Sequence, residues 1–123
     1  MKKILIVEDE EIMINLLEKK FRDHGYEVTS ARDGQEGLRL LKEQYSPDLI
    51  LMDLVMPKMD GYSVMAEIQK DKELAKIPLI VISNSGQPVE LNKIRELGAI
   101  DWLVKTEFDP QELLEKVKKQ LGE

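Results

Sequence analysis

No cysteine occurs among the 123 residues, and histidine occurs once, as His24. The first absence excludes disulfides, thiolate chemistry and Cys-ligated metals. The second rules out a histidine cluster and argues against a His-based catalytic triad. Long apolar runs are missing too. The longest tracts, such as Ile4-Leu5-Ile6-Val7, are only a few residues long, far short of the roughly 20 that a membrane span requires. Met1-Lys2-Lys3 leads into that tract and then directly into acid, which is not a signal peptide. A soluble, cytoplasmic chain with no membrane contact is expected. Positive charge is in deficit: the formal net charge is −6. That argues against direct nucleic-acid binding, which needs a basic face, and suits a basic partner or bound cations. No glycine-rich phosphate loop follows the first apolar tract. Glu8-Asp9 stands there instead, so a nucleotide- or flavin-binding domain is disfavoured.

The length is that of one ordinary domain, taken as residues 1–123 with no output domain. Apolar tracts and amphipathic stretches alternate along it. Strands are expected at Lys3 to Val7, Glu27 to Ala31, Leu49 to Asp53, Leu79 to Ile82 and Asp101 to Val104. The first helix, ending near His24 and Gly25, carries an apolar stripe of Ile12, Met13, Leu16, Leu17 and Phe21. Asp33-Gly34-Gln35-Glu36 and Asp109-Pro110-Gln111-Glu112 read as capping boxes opening the second and fifth helices. The second helix turns Leu38 and Leu41 inward, the third Val64, Met65 and Ile68, and the fifth Leu113, Leu114, Val117 and Leu121. A fourth helix runs from about Val89 to Leu97 and closes on Gly98.

Five strand–helix repeats imply a parallel sheet covered on both faces. The first, third and fourth strands are apolar throughout and belong in the centre; the second and fifth are mixed and belong at the edges. The doubly wound order 2-1-3-4-5 satisfies this, and ligands of such α/β folds bind beyond the carboxyl ends of the strands at the switch point. The residues that end the strands are Glu8 and Asp9, Asp53, Ser83 and Lys105. Three clustered carboxylates repel one another unless a hard divalent cation, Mg²⁺ above all, shares them. A carboxylate beside such an ion is a nucleophile toward phosphorus, with Lys105 and the Ser83 hydroxyl available to the phosphoryl oxygens. Glu10 and Glu11 are read as first-turn acids favoured by the helix dipole and given no role.

Val7-Glu8-Asp9-Glu10, Leu51-Met52-Asp53, Met56-Pro57-Lys58-Met59-Asp60-Gly61, Ser83, and Gly98-Ala99 followed by Trp102-Leu103-Val104-Lys105 together resemble the receiver domains of two-component response regulators. The resemblance covers essentially the whole chain and implies a flavodoxin-like fold. It also implies that Asp53 accepts a phosphoryl group from a sensor histidine kinase or a histidine phosphotransfer protein. Asp9, Asp53 and the Val55 carbonyl would ligate Mg²⁺, with Mn²⁺ a plausible substitute, and Glu8 would act through water. Lys105 would pair with the phosphoryl group, and Ser83 would move toward it. Trp102 stands where the family has its switch aromatic. The face formed by the fourth helix, fifth strand and fifth helix would be read by an output protein or fused domain. Val55, Asn84 and Ser85 flank the site and are expected to tune phosphoryl lifetime.

Three residues depart from the pattern. Asn84 replaces a small residue, Trp102 is larger than the usual Tyr or Phe, and Thr106 replaces a proline that carries a cis peptide. A cis bond before Thr would cost about 3 kcal/mol, so a different loop is expected there. Two other readings remain. A Mg²⁺-dependent aspartyl phosphohydrolase would need an acid two residues after the nucleophile, where Val55 stands. A degenerate receiver acting only as a binding module would not need Glu8, Asp9, Asp53 and Lys105 intact.

Overall fold

The computed structural model describes residues 1–43, 45–84, 86–107 and 109–123. Strands β1 (Lys3–Val7), β2 (Glu27–Ala31), β3 (Leu49–Asp53), β4 (Leu79–Ser83) and β5 (Asp101–Val104) alternate with helices α1 (Glu11–Asp23), α2 (Gly34–Lys42), α3 (Gly61–Gln69), α4 (Pro88–Glu96) and α5 (Pro110–Leu121). The strands are parallel and lie in the order β2-β1-β3-β4-β5, as the apolar patterning predicts. Successive side chains of a strand point to opposite faces. Leu5, Val7, Ile50 and Met52 therefore pack with Leu41 of α2, Val64, Met65 and Ile68 of α3 and Ile94 of α4. Ile4, Ile6, Leu49 and Leu51 pack on the other face with Leu17 and Phe21 of α1 and Leu113, Leu114 and Val117 of α5.

Helix starts follow local chemistry. Asp33 Oδ1 accepts from Glu36 N at 2.8 Å and Asp109 Oδ1 from Glu112 N at 2.7 Å, each cap contributing about 1 kcal/mol. In the first of these, Glu36 reaches back to Arg32 N at 3.1 Å. Asp60 caps α3 in the same way, accepting from Ser63 N at 2.8 Å. Gly25 and Gly98 follow α1 and α4 at φ of 87° and 103°, where a side chain would be strained. A short 3-10 turn at Leu74–Lys76, not anticipated from the sequence, leads into β4.

One expectation needs correction. In α1 the buried residues are Ile14, Leu17 and Phe21, whereas Ile12 and Leu16 are exposed. The helix is turned so that a narrower stripe meets the sheet. Among the described residues, no helix is long and apolar enough to cross a membrane.

Candidate functional site

Register brings the strand ends together. Val7 is level with Met52, and Asp53 is level with Ile82, so Glu8 leaves β1 beside the last residue of β3. Ser83 pairs with Val104, and Lys105 N donates to Ser83 O at 2.6 Å, which fixes the start of the loop after β5. The peptide between Lys105 and Thr106 is trans.

The Lys105 side chain, 10% exposed, reaches back across this edge. Its Nζ lies 3.0 and 3.1 Å from the two Glu8 oxygens and 3.3 Å from Asp53 Oδ2. It also contacts Glu10 Oε1. Glu8 and Asp53 are each 1% exposed, and Asp9 is exposed. One ammonium thus serves three carboxylates, two of them out of water. Burial pushes the Glu8 carboxyl up to about 7, the neighbouring Asp53 charge adding to the effect against hydrogen bonds from Glu10 N–H and Lys105. Burial likewise raises Asp53, opposed by Lys105 and reinforced by Asp9. Burial works against the Lys105 charge, but hydrogen bonds to Glu10 and Glu8 and the charge of Asp53 outweigh it and hold the lysine protonated.

The donor set fits a hard divalent cation. Ligand oxygens of Glu8, Asp9 and Asp53 all lie within 4.8 Å of one another. Asp53 Oδ1 is buried with no hydrogen-bond partner among the described residues. An orphaned carboxylate oxygen in a cluster of carboxylates is the situation that an oxygen-seeking ion such as Mg²⁺ relieves.

The loop after β3 presses closely on the site. Gly61 N donates to Leu54 O at 2.9 Å, and a Cβ at Gly61 would stand 2.3 Å from Asp53 O, so only glycine fits without moving the backbone that carries Asp53. Lys58 in this loop adopts a left-handed φ of 68°. Its ammonium lies 3.7 Å from Asp33 Oδ2, tying the β3–α3 loop to the start of α2.

A model of the response regulator receiver domain matches residues 4–118. The chain belongs to this receiver family. It is 39% identical over 116 residues to a probable transcriptional regulator, ycf27, of Guillardia theta, covering 94% of this chain and 44% of that protein. It is 36% identical over 118 residues to the DNA-binding dual master transcriptional regulator RpaA of Synechocystis, covering 96% and 48%. The chain spans about half the length of the curated relatives it matches. Among solved structures it resembles the receiver domain of sensor histidine kinase PA1611 from Pseudomonas aeruginosa, described with magnesium in its active-site cleft, at a TM-score of 0.87 and 30% identity over 99% of this chain and 98% of that one.

In this receiver Glu8, Asp9, Asp53 and Lys105 converge as the strand-end argument expects. Ser83 is fully buried at the end of β4, on the same edge. Val55 is 65% exposed beyond Asp53, and Asn84 is exposed after Ser83. Ser85 lies outside the described residues. Trp102 stands apart from the acidic edge. Half-buried, it packs beneath the Arg95 guanidinium, 5.3 Å from the ring centroid, and its backbone N–H donates to Asp101 Oδ1 at 2.8 Å. With Glu107, Glu112 and Lys116 it lines a groove of about 300 Å³ between β5 and α5. Sequence reasoning missed Glu10, whose carboxylate joins the Lys105 cluster from the N-cap of α1. No sequence signal separates it from an ordinary first-turn acid.

Proposed function

We propose that the chain accepts a phosphoryl group on Asp53 from a phosphohistidine donor and reports it through a protein-interaction face. The observation that carries this is the burial of Asp53 beside Lys105 with one carboxylate oxygen unpartnered among the described residues. In the transfer step an Asp53 oxygen bonds to phosphorus while the P–N bond to the donor imidazole breaks, and the imidazole nitrogen keeps the electron pair and takes up a proton. The buried Asp53 carboxylate is poorly solvated and needs little desolvation to attack. Lys105, already held by Asp53, turns its ammonium to the incoming phosphoryl oxygens. A divalent cation held by Asp9, Asp53 and the Val55 carbonyl, with Glu8 through water, would supply further positive charge to those oxygens. Glu8 would act as the buried counter-charge that keeps the cation and Lys105 in place.

Ser83, buried at the end of β4, is the hydroxyl we assign to the phosphoryl group after transfer. Trp102, on the strand that begins the Lys105 loop, is the reporter on the face made by α4, β5 and α5. The kinase or phosphotransfer donor, and an output protein or fused domain, are the partners this reading requires. The −6 charge leaves DNA contact to another part of a longer regulator, consistent with relatives about twice as long. The aspartyl phosphohydrolase alternative lacks its acid, because Val55 occupies that position. The test is Trp102 fluorescence during titration with Mg²⁺ and then beryllofluoride. A change in the wild type that Asp53→Asn abolishes supports the reading; a silent wild type removes Trp102 from it.

A further inference from the structure

We infer that Glu10 is a positioning residue of this site: it holds the Lys105 ammonium before phosphorylation and competes with the phosphoryl group for it afterwards. The inference rests on the phosphoacceptor reading above and deepens it. As the N-cap of α1, Glu10 makes no side-chain cap hydrogen bond. Its carboxylate goes instead to Lys105 Nζ, and its backbone N–H donates to Glu8 Oε2 at 3.0 Å. It therefore touches the buried cluster twice, although it was expected to do no more than favour the helix dipole.

Among the described residues, the three carboxylate partners of Lys105 differ in what it costs them to let go. Glu8 and Asp53 are buried, and an ionised carboxylate left unpaired there is expensive. The Glu10 side chain is 60% exposed and rehydrates when released. A phosphoryl group on Asp53 adds negative charge within reach of the same ammonium. Glu10 is then the one partner that can give up Lys105 cheaply. The same carboxylate, standing at the mouth of the site, also repels an anionic donor. Glu10 thus slows entry of the phosphoryl group and shortens its stay.

Neutralising it with Glu10→Gln keeps its size and reverses both effects. The test compares wild type, Glu10→Gln and Glu11→Gln, with acetyl phosphate and Mg²⁺. Glu11 lies in the same first turn but pairs with Arg32 and does not touch Lys105. The expected result for Glu10→Gln is a roughly two- to fivefold faster phosphorylation at subsaturating donor and a phosphoryl lifetime longer by a similar factor, the scale of one partly exposed ion pair. The Lys105 Nζ resonance should shift in Glu10→Gln alone. Wild-type rates and an unmoved Lys105 resonance in Glu10→Gln would overturn the inference. Equal changes in both variants would overturn it as well, because they would report general surface charge. A wild type that takes up no phosphoryl group would instead overturn the phosphoacceptor reading, and the inference with it.

Discussion

Glu8→Gln should stabilise the metal-free protein, by an amount that depends on pH. The Glu8 carboxyl stands at about 7 in the folded chain against an ordinary 4.5, chiefly because it is buried and then because Asp53 is beside it. A carboxyl with a higher value folded than unfolded binds its proton more tightly when folded. Its contribution is intact below pH 4.5 and is lost as pH rises through 7. At about 1.4 kcal/mol per pH unit across that window, keeping Glu8 ionised costs on the order of 3 kcal/mol. Glutamine cannot ionise and escapes this cost, the contact of the ionised carboxylate with Lys105 being already counted in the value of about 7. The net expectation is a gain of about 3 kcal/mol at pH 8 that fades toward pH 5. Urea unfolding with chelator present measures it as a higher midpoint at unchanged slope. Millimolar Mg²⁺ should shrink or reverse the gain, because the parent binds the ion better than the variant and is stabilised by it. An equal gain at pH 8 and pH 5 would refute the reasoning, since it would mean that glutamine simply packs better. A loss at pH 8 would refute it as directly.

Two further substitutions test the packing around the site and the core. Gly61→Ala forces a Cβ into the Asp53 carbonyl and should cost about 3 kcal/mol in urea unfolding while weakening Mg²⁺ binding by displacing the β3–α3 loop; unchanged stability and Mg²⁺ affinity would show that the loop gives way freely. The Tyr45 hydroxyl is buried with no hydrogen-bond partner among the described residues, so Tyr45→Phe should raise stability by about 1 kcal/mol in the same assay, and a loss would reveal a partner for it.

The first, third and fourth strands were legible in the sequence because burial on both faces leaves short apolar tracts with few other readings. Their order followed from which tracts were polar enough for an edge. Convergence of Glu8, Asp9, Asp53 and Lys105 then followed from topology, since parallel strands put all their carboxyl ends on one side. Helix phase was harder. In α1, Ile12 and Leu16 form as good a helical pair as Ile14 and Leu17, and periodicity cannot say which faces the sheet. Glu10 was hidden for a related reason. An acid at a helix start is already explained by the dipole, and its true partner, Lys105, lies at the other end of the chain. The Asp60 cap was masked in the same way by the Pro57 to Gly61 loop, where polar residues are unremarkable.

The central claim is that Asp53 is the phosphoacceptor. Intact mass spectrometry after incubation with acetyl phosphate and Mg²⁺, on wild type and Asp53→Asn, tests it most directly. The predicted result is one added phosphoryl group on the wild type, dependent on Mg²⁺ and absent from Asp53→Asn. An adduct of equal yield on Asp53→Asn, or none on the wild type with the ion present, would contradict it.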